Sequence, residues 1–121
     1  MGTALIYPPN MTFWRAMRCG LITPARSPAY LAFVASLPCC VTGARPVTVH
    51  HLVGHGIRGA GAKTDDYLTI PLAPELHLPN YPGGLHAIGH HAWEEKHGSQ
   101  LEYAAMTMIE AIHRGVLVVR K

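Results

Sequence analysis

Histidine dominates the chemistry this chain could perform. The 121 residues include nine histidines, and eight of them fall between His50 and His97. Aromatic residues make up only 7%, so the histidines are not the by-product of an aromatic-rich core. Neutral imidazole is the commonest protein metal ligand and the side chain best matched to proton transfer near neutral pH. The cluster therefore points to a metal or acid–base site. His50 and His51 are adjacent, and adjacent residues on a regular strand point to opposite faces. A bend or twist at the strand end brings both to one site, one as ligand and one as base. Asp65 and Asp66, then His77 and His86, follow downstream as further candidates.

The elements that must position these residues are short. Ala4–Tyr7 reads as a strand, and the stretch up to residue 26, which carries Arg15, Arg18 and Arg26, reads as irregular. Ser27-Pro28 is a helix start, with serine at the N-cap and proline at the first helical position. That helix runs to about Ser36, and Pro38 ends it. Residues 39–46 form a tight turn with Gly43 at its tip, and Val47–Val53 is a strand ending at the histidine pair. Residues 54–64, GHGIRGAGAKT, make a glycine-rich cationic loop. Tyr67–Leu72 is a second strand, Glu75–Leu78 one helical turn, and Leu85–His97 a helical segment. Ser99 and Glu102 form a capping box. Leu101, Ala104, Ala105, Met108, Ile109 and Ile112 then recur with helical spacing as the buried face of a last helix. Trp93 belongs to the core, Gly115 stops the last helix, and Val116–Val119 is a final strand.

Composition narrows the class. The length fits one domain able to bury its own core. Hydrophobic residues at 49% and a formal charge of +3 rule out a largely disordered chain. No apolar run approaches the length of about 18 residues that a membrane span needs. Cys19, Cys39 and Cys40 are a poor disulfide framework and fit a reducing cytosol. The N-terminal segment lacks the basic start and apolar run of a secretory signal. A charge of +3 is a mild hint toward nucleic acid.

Strand, glycine-rich loop, strand and short helix, with histidine on the first strand and on the helix, is the order of a ββα-metal nuclease site. The residues carry the likeness further. Leu37-Pro38-Cys39, Val49-His50-His51-Leu52, Gly54-His55-Gly56, Gly59, Gly61, Lys63, Asp66, Ile70-Pro71-Leu72 and His77 together resemble the phage and prophage HNH nucleases of the recombination-enhancing Ref type. Leu85-His86, Gly89, Trp93-Glu94-Glu95-Lys96 and Gly98 are similar to that group's tail. The resemblance covers about residues 37–100 and leaves the first 36 unexplained.

The resemblance implies an α+β fold, a ββα-metal (His-Me finger, HNH) core with flanking helices in a single domain. It divides the chain into an N-terminal extension, 1–36, and an HNH-type nuclease domain, 37–121. It implies a metal-dependent DNA endonuclease of phage or prophage origin acting in recombination or DNA processing, with DNA and a recombination protein as partners. His51 takes the general-base place and Asp66 the polar position before the second strand. His50, His77 and His86 take the places of ligands to a divalent ion, Mg²⁺, Mn²⁺ or Zn²⁺, with Asp66 as the alternative to His86. His55, Arg58 and Lys63 in the glycine-rich loop are the candidate DNA contacts, since phosphate contacts dominate nucleic-acid affinity. The group's structural zinc knuckle is not expected. Thr42 stands where its second cysteine belongs, and Ala73 and Leu76 stand at the other ligand places. An inserted PNYPGG run separates His77 from His86, so the segment Leu78–Leu85 must loop back. Two rivals stand beside the enzyme: an inactive nucleic-acid-binding or adaptor module, and a protein that binds metal for structure alone. His50, His51 and His77 occurring together favour the enzyme.

Overall fold

The structure, a computed structural model, describes residues 3–19, 21–24, 26–54 and 65–120. It opens with strand β1 (Thr3–Ile6), helix α1 (Phe13–Cys19) and helix α2 (Pro28–Ser36). Strands β2 (Thr48–His51) and β3 (Thr69–Leu72) follow, then the single-turn helices α3 (Pro74–His77) and α4 (Leu85–Ile88). Helices α5 (His90–His97) and α6 (Gln100–His113) and strand β4 (Leu117–Arg120) complete the chain. The fold is mixed α+β with two small sheets. β1 pairs parallel with β4, from Thr3 opposite Leu117 to Ile6 opposite Arg120. β2 pairs antiparallel with β3, and His50 lies opposite Ile70.

Local chemistry explains the elements that frame the site. Ser27 caps α2 by accepting from the Tyr30 amide at 3.1 Å, and Pro28 supplies the first turn. β3 is buried along its whole length, and Ile70, Leu72, Tyr67 and Leu68 form the centre of the core with Trp93, Tyr30 and Met108. Such a continuous apolar run marks a strand covered on both faces. α2 and α6 are the elements that pack against it. The Trp93 indole of α5 donates to the Leu76 carbonyl of α3 at 2.9 Å, which fastens α3 to the helices behind it.

Several elements depart from expectation. Residues 13–19 form α1 rather than irregular chain; Thr12 accepts from the Arg15 amide at 3.2 Å, and Ala16 and Met17 are buried. Seven residues cannot hold a helix in water, so packing makes it. The segment 85–97 is two helices, broken at Gly89, whose φ of +86° favours glycine. β3 begins at Thr69, two residues later than the expected Tyr67, and holds Pro71 inside it. The buried face of α6 is Gln100, Ala104, Thr107, Met108 and Ala111, whereas Ile109 and Ile112 are exposed. Ala104 and Met108 belong to both the expected and the observed face; against β3 the helix is turned so that Gln100, Thr107 and Ala111 join them. No described helix is long and apolar enough to cross a membrane. The three cysteines are free thiols.

Candidate metal centre and its neighbouring base

His50, His77 and His86 converge. Each offers one ring nitrogen, and the three nitrogens lie within 4.8 Å of one another. Ring centroids are 4.9 Å apart for His50 and His77, 5.3 Å for His50 and His86, and 4.9 Å for His77 and His86. β2 carries His50 and α3 carries His77, so the turn after β3 fixes their separation. His86 arrives on α4 through the loop that follows His77. Gly84 makes that return possible, because a Cβ there would fall 2.1 Å from the Leu78 carbonyl oxygen. The inserted segment therefore loops out and restores the third histidine. Asp66 does not join this cluster.

The interior ends of the cluster are held and the outer end is open. The His50 ring is 1% exposed, and its Nε2 lies 2.7 Å from the Gln100 side-chain oxygen. Its Nδ1 is buried and has no hydrogen-bond partner. His77 Nδ1 lies 2.6 Å from the Thr48 hydroxyl, which itself donates to the Leu72 carbonyl at 3.0 Å. That hydroxyl lone pair then accepts from His77 Nδ1–H, leaving Nε2 as the free ligand atom. His86 is exposed. Burial pushes the His50 imidazolium down to about 3, against the opposing bond to Gln100, and the neighbouring His77, His86 and His51 add to the fall. Burial likewise lowers His77 to about 4, with His86 contributing. Both rings are therefore neutral at pH 7, the form a metal ion requires.

A separate pair lies on the same strand. His51 is the neighbour of His50, yet its side chain is 42% exposed. Its Nε2 lies 3.1 Å from Asp66 Oδ1. An ionised carboxylate only accepts, so Nε2 donates and Nδ1 keeps a lone pair. Asp66 is buried and fixed from the N-terminal side of the chain. The Ser27 amide donates to Oδ2 at 2.7 Å, and Arg26 lies 3.5 Å from Oδ1. Residues 26 and 27 thus complete a unit whose other members come from positions 51 and 66.

The remaining candidates fall elsewhere. His55, Arg58 and Lys63 lie outside the described residues. The His90 ring lies against Gly54 and stacks near His91, with centroids 4.5 Å apart. His97 and His113 end α5 and α6. At the turn where a knuckle cysteine pair would sit, burial raises the Cys39 thiol. Hydrogen bonds from the Thr42 hydroxyl and the Ala73, Thr42 and Val41 amides outweigh it and set the net direction downward. Val41 and Leu76 pack against the core beside it. The part that Gln100, Thr48, Ser27 and Arg26 play in the site is what the sequence did not show. Gln100 had one readable signal: a long amide on the same helical face as Ala104 and Met108.

A family profile with the description "Protein of unknown function (DUF968)" matches residues 11–115. The uncharacterized protein YdfU of Escherichia coli (strain K12) is 36% identical over 88 residues, which are 73% of this chain and 24% of that protein. The chain thus spans about a quarter of that relative's length. No solved structure matches. With most of its length inside the family match, the chain belongs to the DUF968 family.

Proposed function

We propose that the chain is a metal-dependent phosphodiester hydrolase acting on DNA, of the ββα-metal (HNH, His-Me finger) type and of phage or prophage origin, with a role in recombination or DNA processing. One observation carries this: a three-histidine cluster and a His–Asp pair each take one member from consecutive residues of one strand, His50 and His51, in an antiparallel strand pair followed by a short helix that bears the next ligand. Hydrolysis of a phosphodiester needs both parts, a cation for the phosphate and a base for the attacking water. The donor set fits a cation. His50 offers a buried, unpartnered Nδ1, and three imidazoles suit Zn²⁺ or a similar transition ion better than oxygen-seeking Mg²⁺. When bound, such an ion supplies Lewis acidity at the phosphoryl and leaving oxygens.

The chain's own residues do the rest. His51 Nδ1, the ring nitrogen not engaged by Asp66, takes the proton of the attacking water. Its Nε2–H stays on Asp66, whose carboxylate stabilises the imidazolium that forms. Ser27 and Arg26 keep the carboxylate from turning away. Exposure at His86 leaves one side of the cluster open to a phosphate, as catalysis requires. Incubation of the purified protein with supercoiled plasmid and Zn²⁺, Mn²⁺ or Mg²⁺ in turn tests the proposal. Nicking or linearisation with at least one ion, abolished by EDTA, is expected. Plasmid retarded on a gel yet uncut under every ion would indicate the inactive DNA-binding module.

A further inference from the structure

We propose that Gln100 is a positioning residue that fixes the rotation and tautomer of His50, so that Nδ1 is the atom His50 offers to a metal ion; its metal-binding consequence rests on the proposed metal centre. Gln100 is fully buried at the first position of α6, and 50 positions of sequence separate it from His50. Its side-chain Nε2 donates to the Val53 carbonyl at 2.9 Å, and its Oε1 accepts from the Val53 amide at 3.3 Å. The main chain therefore settles which end of the amide is oxygen. The reversed amide would set N–H against N–H and oxygen against carbonyl. Gln100 Oε1, so placed, is 2.7 Å from His50 Nε2 and can only accept. Hence Nε2 carries the proton and Nδ1 carries the lone pair.

Two further observations agree. His50 Nδ1 is buried with no hydrogen-bond partner, an arrangement that the interior of a protein rarely leaves without a reason. Gln100 is itself held, because its backbone amide donates to Glu94 Oε2 at 2.8 Å. A chain of fixed groups thus runs from Val53 through Gln100 to the ring. Partners of this kind set the tautomer and basicity of a ligating histidine, and their loss commonly costs about 10–100-fold in metal affinity.

The test uses the full chain as parent, Gln100→Met and Gln100→Glu. Methionine keeps the length and removes the acceptor, whereas glutamate keeps the acceptor and, protonated on its other oxygen, the donor to the Val53 carbonyl. Imidazole ¹⁵N NMR of the EDTA-treated proteins at neutral pH reads the tautomer. Competition titrations with Co²⁺ and Zn²⁺ read affinity. The parent should show His50 as the Nε2–H tautomer alone. Gln100→Met should lose that restriction and bind Co²⁺ about 10–100-fold more weakly. Gln100→Glu should restore most of the affinity. A parent His50 protonated on Nδ1 overturns the proposal, as does a folded Gln100→Met that binds Co²⁺ as tightly as the parent. Should circular dichroism show Gln100→Met unfolded, the parent tautomer and Gln100→Glu decide: a folded Gln100→Glu without affinity overturns it. A Gln100-dependent tautomer in a parent that takes up neither ion upholds the positioning of His50 and overturns only the metal centre.

Discussion

His51 and His50 are one peptide bond apart and have opposite environments. One is nearly half exposed and rests on a buried carboxylate; the other is buried against an amide and an empty lone-pair direction. Burial, not residue type, assigns them different work. The assignment predicts separable defects. His51→Ala should reduce plasmid cleavage by about 10²–10⁴-fold, the usual cost of a lost general base. Metal affinity should be unchanged, since His51 is no part of the three-nitrogen cluster. Asp66→Asn should lower kcat with little change in KM, because the single amide oxygen can accept from His51 or from the Ser27 amide but not from both, and cannot stabilise an imidazolium. Parallel loss of metal and cleavage in His51→Ala, read by calorimetric titration beside the plasmid assay, would contradict the separation.

At the scale of elements, the site depends on a loop that returns His86 to His77 within a few residues. Leu78 accepts from the Tyr81 amide at 3.2 Å and Tyr81 from the Gly84 amide at 3.0 Å, and the chain then enters α4. Gly84 lies so close to the Leu78 carbonyl that no side chain fits. Gly84→Ala should therefore force the loop open, destabilise the fold by the cost typical of overpacking, about 1–3 kcal/mol, with a lower melting temperature, and weaken metal binding with it. Gly83→Ala next door meets nothing within 4 Å and should leave the affinity alone, which makes it the control. Equal metal affinity in Gly84→Ala and the parent would show that His86 is not a ligand. What the sequence could reveal follows the same division between local and distant. Ser27-Pro28, Ser99 and the Gly43 turn act within a few residues, so the helices and turn they govern were legible. The histidines, too, could be picked by type and order. Which face of α6 is buried was not legible, because the strand it packs against decides it. Nor were the site contacts of Gln100, Thr48 and Ser27, whose partners lie 50, 29 and 39 positions away.

For the whole molecule, a buried pair of neutral imidazoles links folding to pH. His50 and His77 have values near 3 and 4 in the folded chain, against 6.5 for a free imidazole. Above pH 6.5 neither folded nor unfolded chain binds these protons, and the pair adds no pH dependence. Below it the unfolded chain takes up a proton at each position while the folded chain refuses them. Stability rises with pH wherever the unfolded state holds more protons, so here it must fall as pH drops. The window runs from about 6.5 down to about 4 for His77 and about 3 for His50, and each imidazole contributes up to about 1.4 kcal/mol per pH unit within its own range. Urea unfolding of the EDTA-treated protein at several pH values across that window should show the midpoint moving steadily lower. His77→Gln can replace the contact to Thr48 without titrating, and should flatten the dependence by the share of one proton. The same values bear on metal uptake. Protons compete at His50 and His77 only well below pH 6, so between pH 7 and 5 these two ligands should cost the site little affinity. A two-proton loss of Zn²⁺ or Co²⁺ affinity across that range would mean that the two rings are not held neutral by burial, and the unfolding midpoints would then be flat where they are expected to slope.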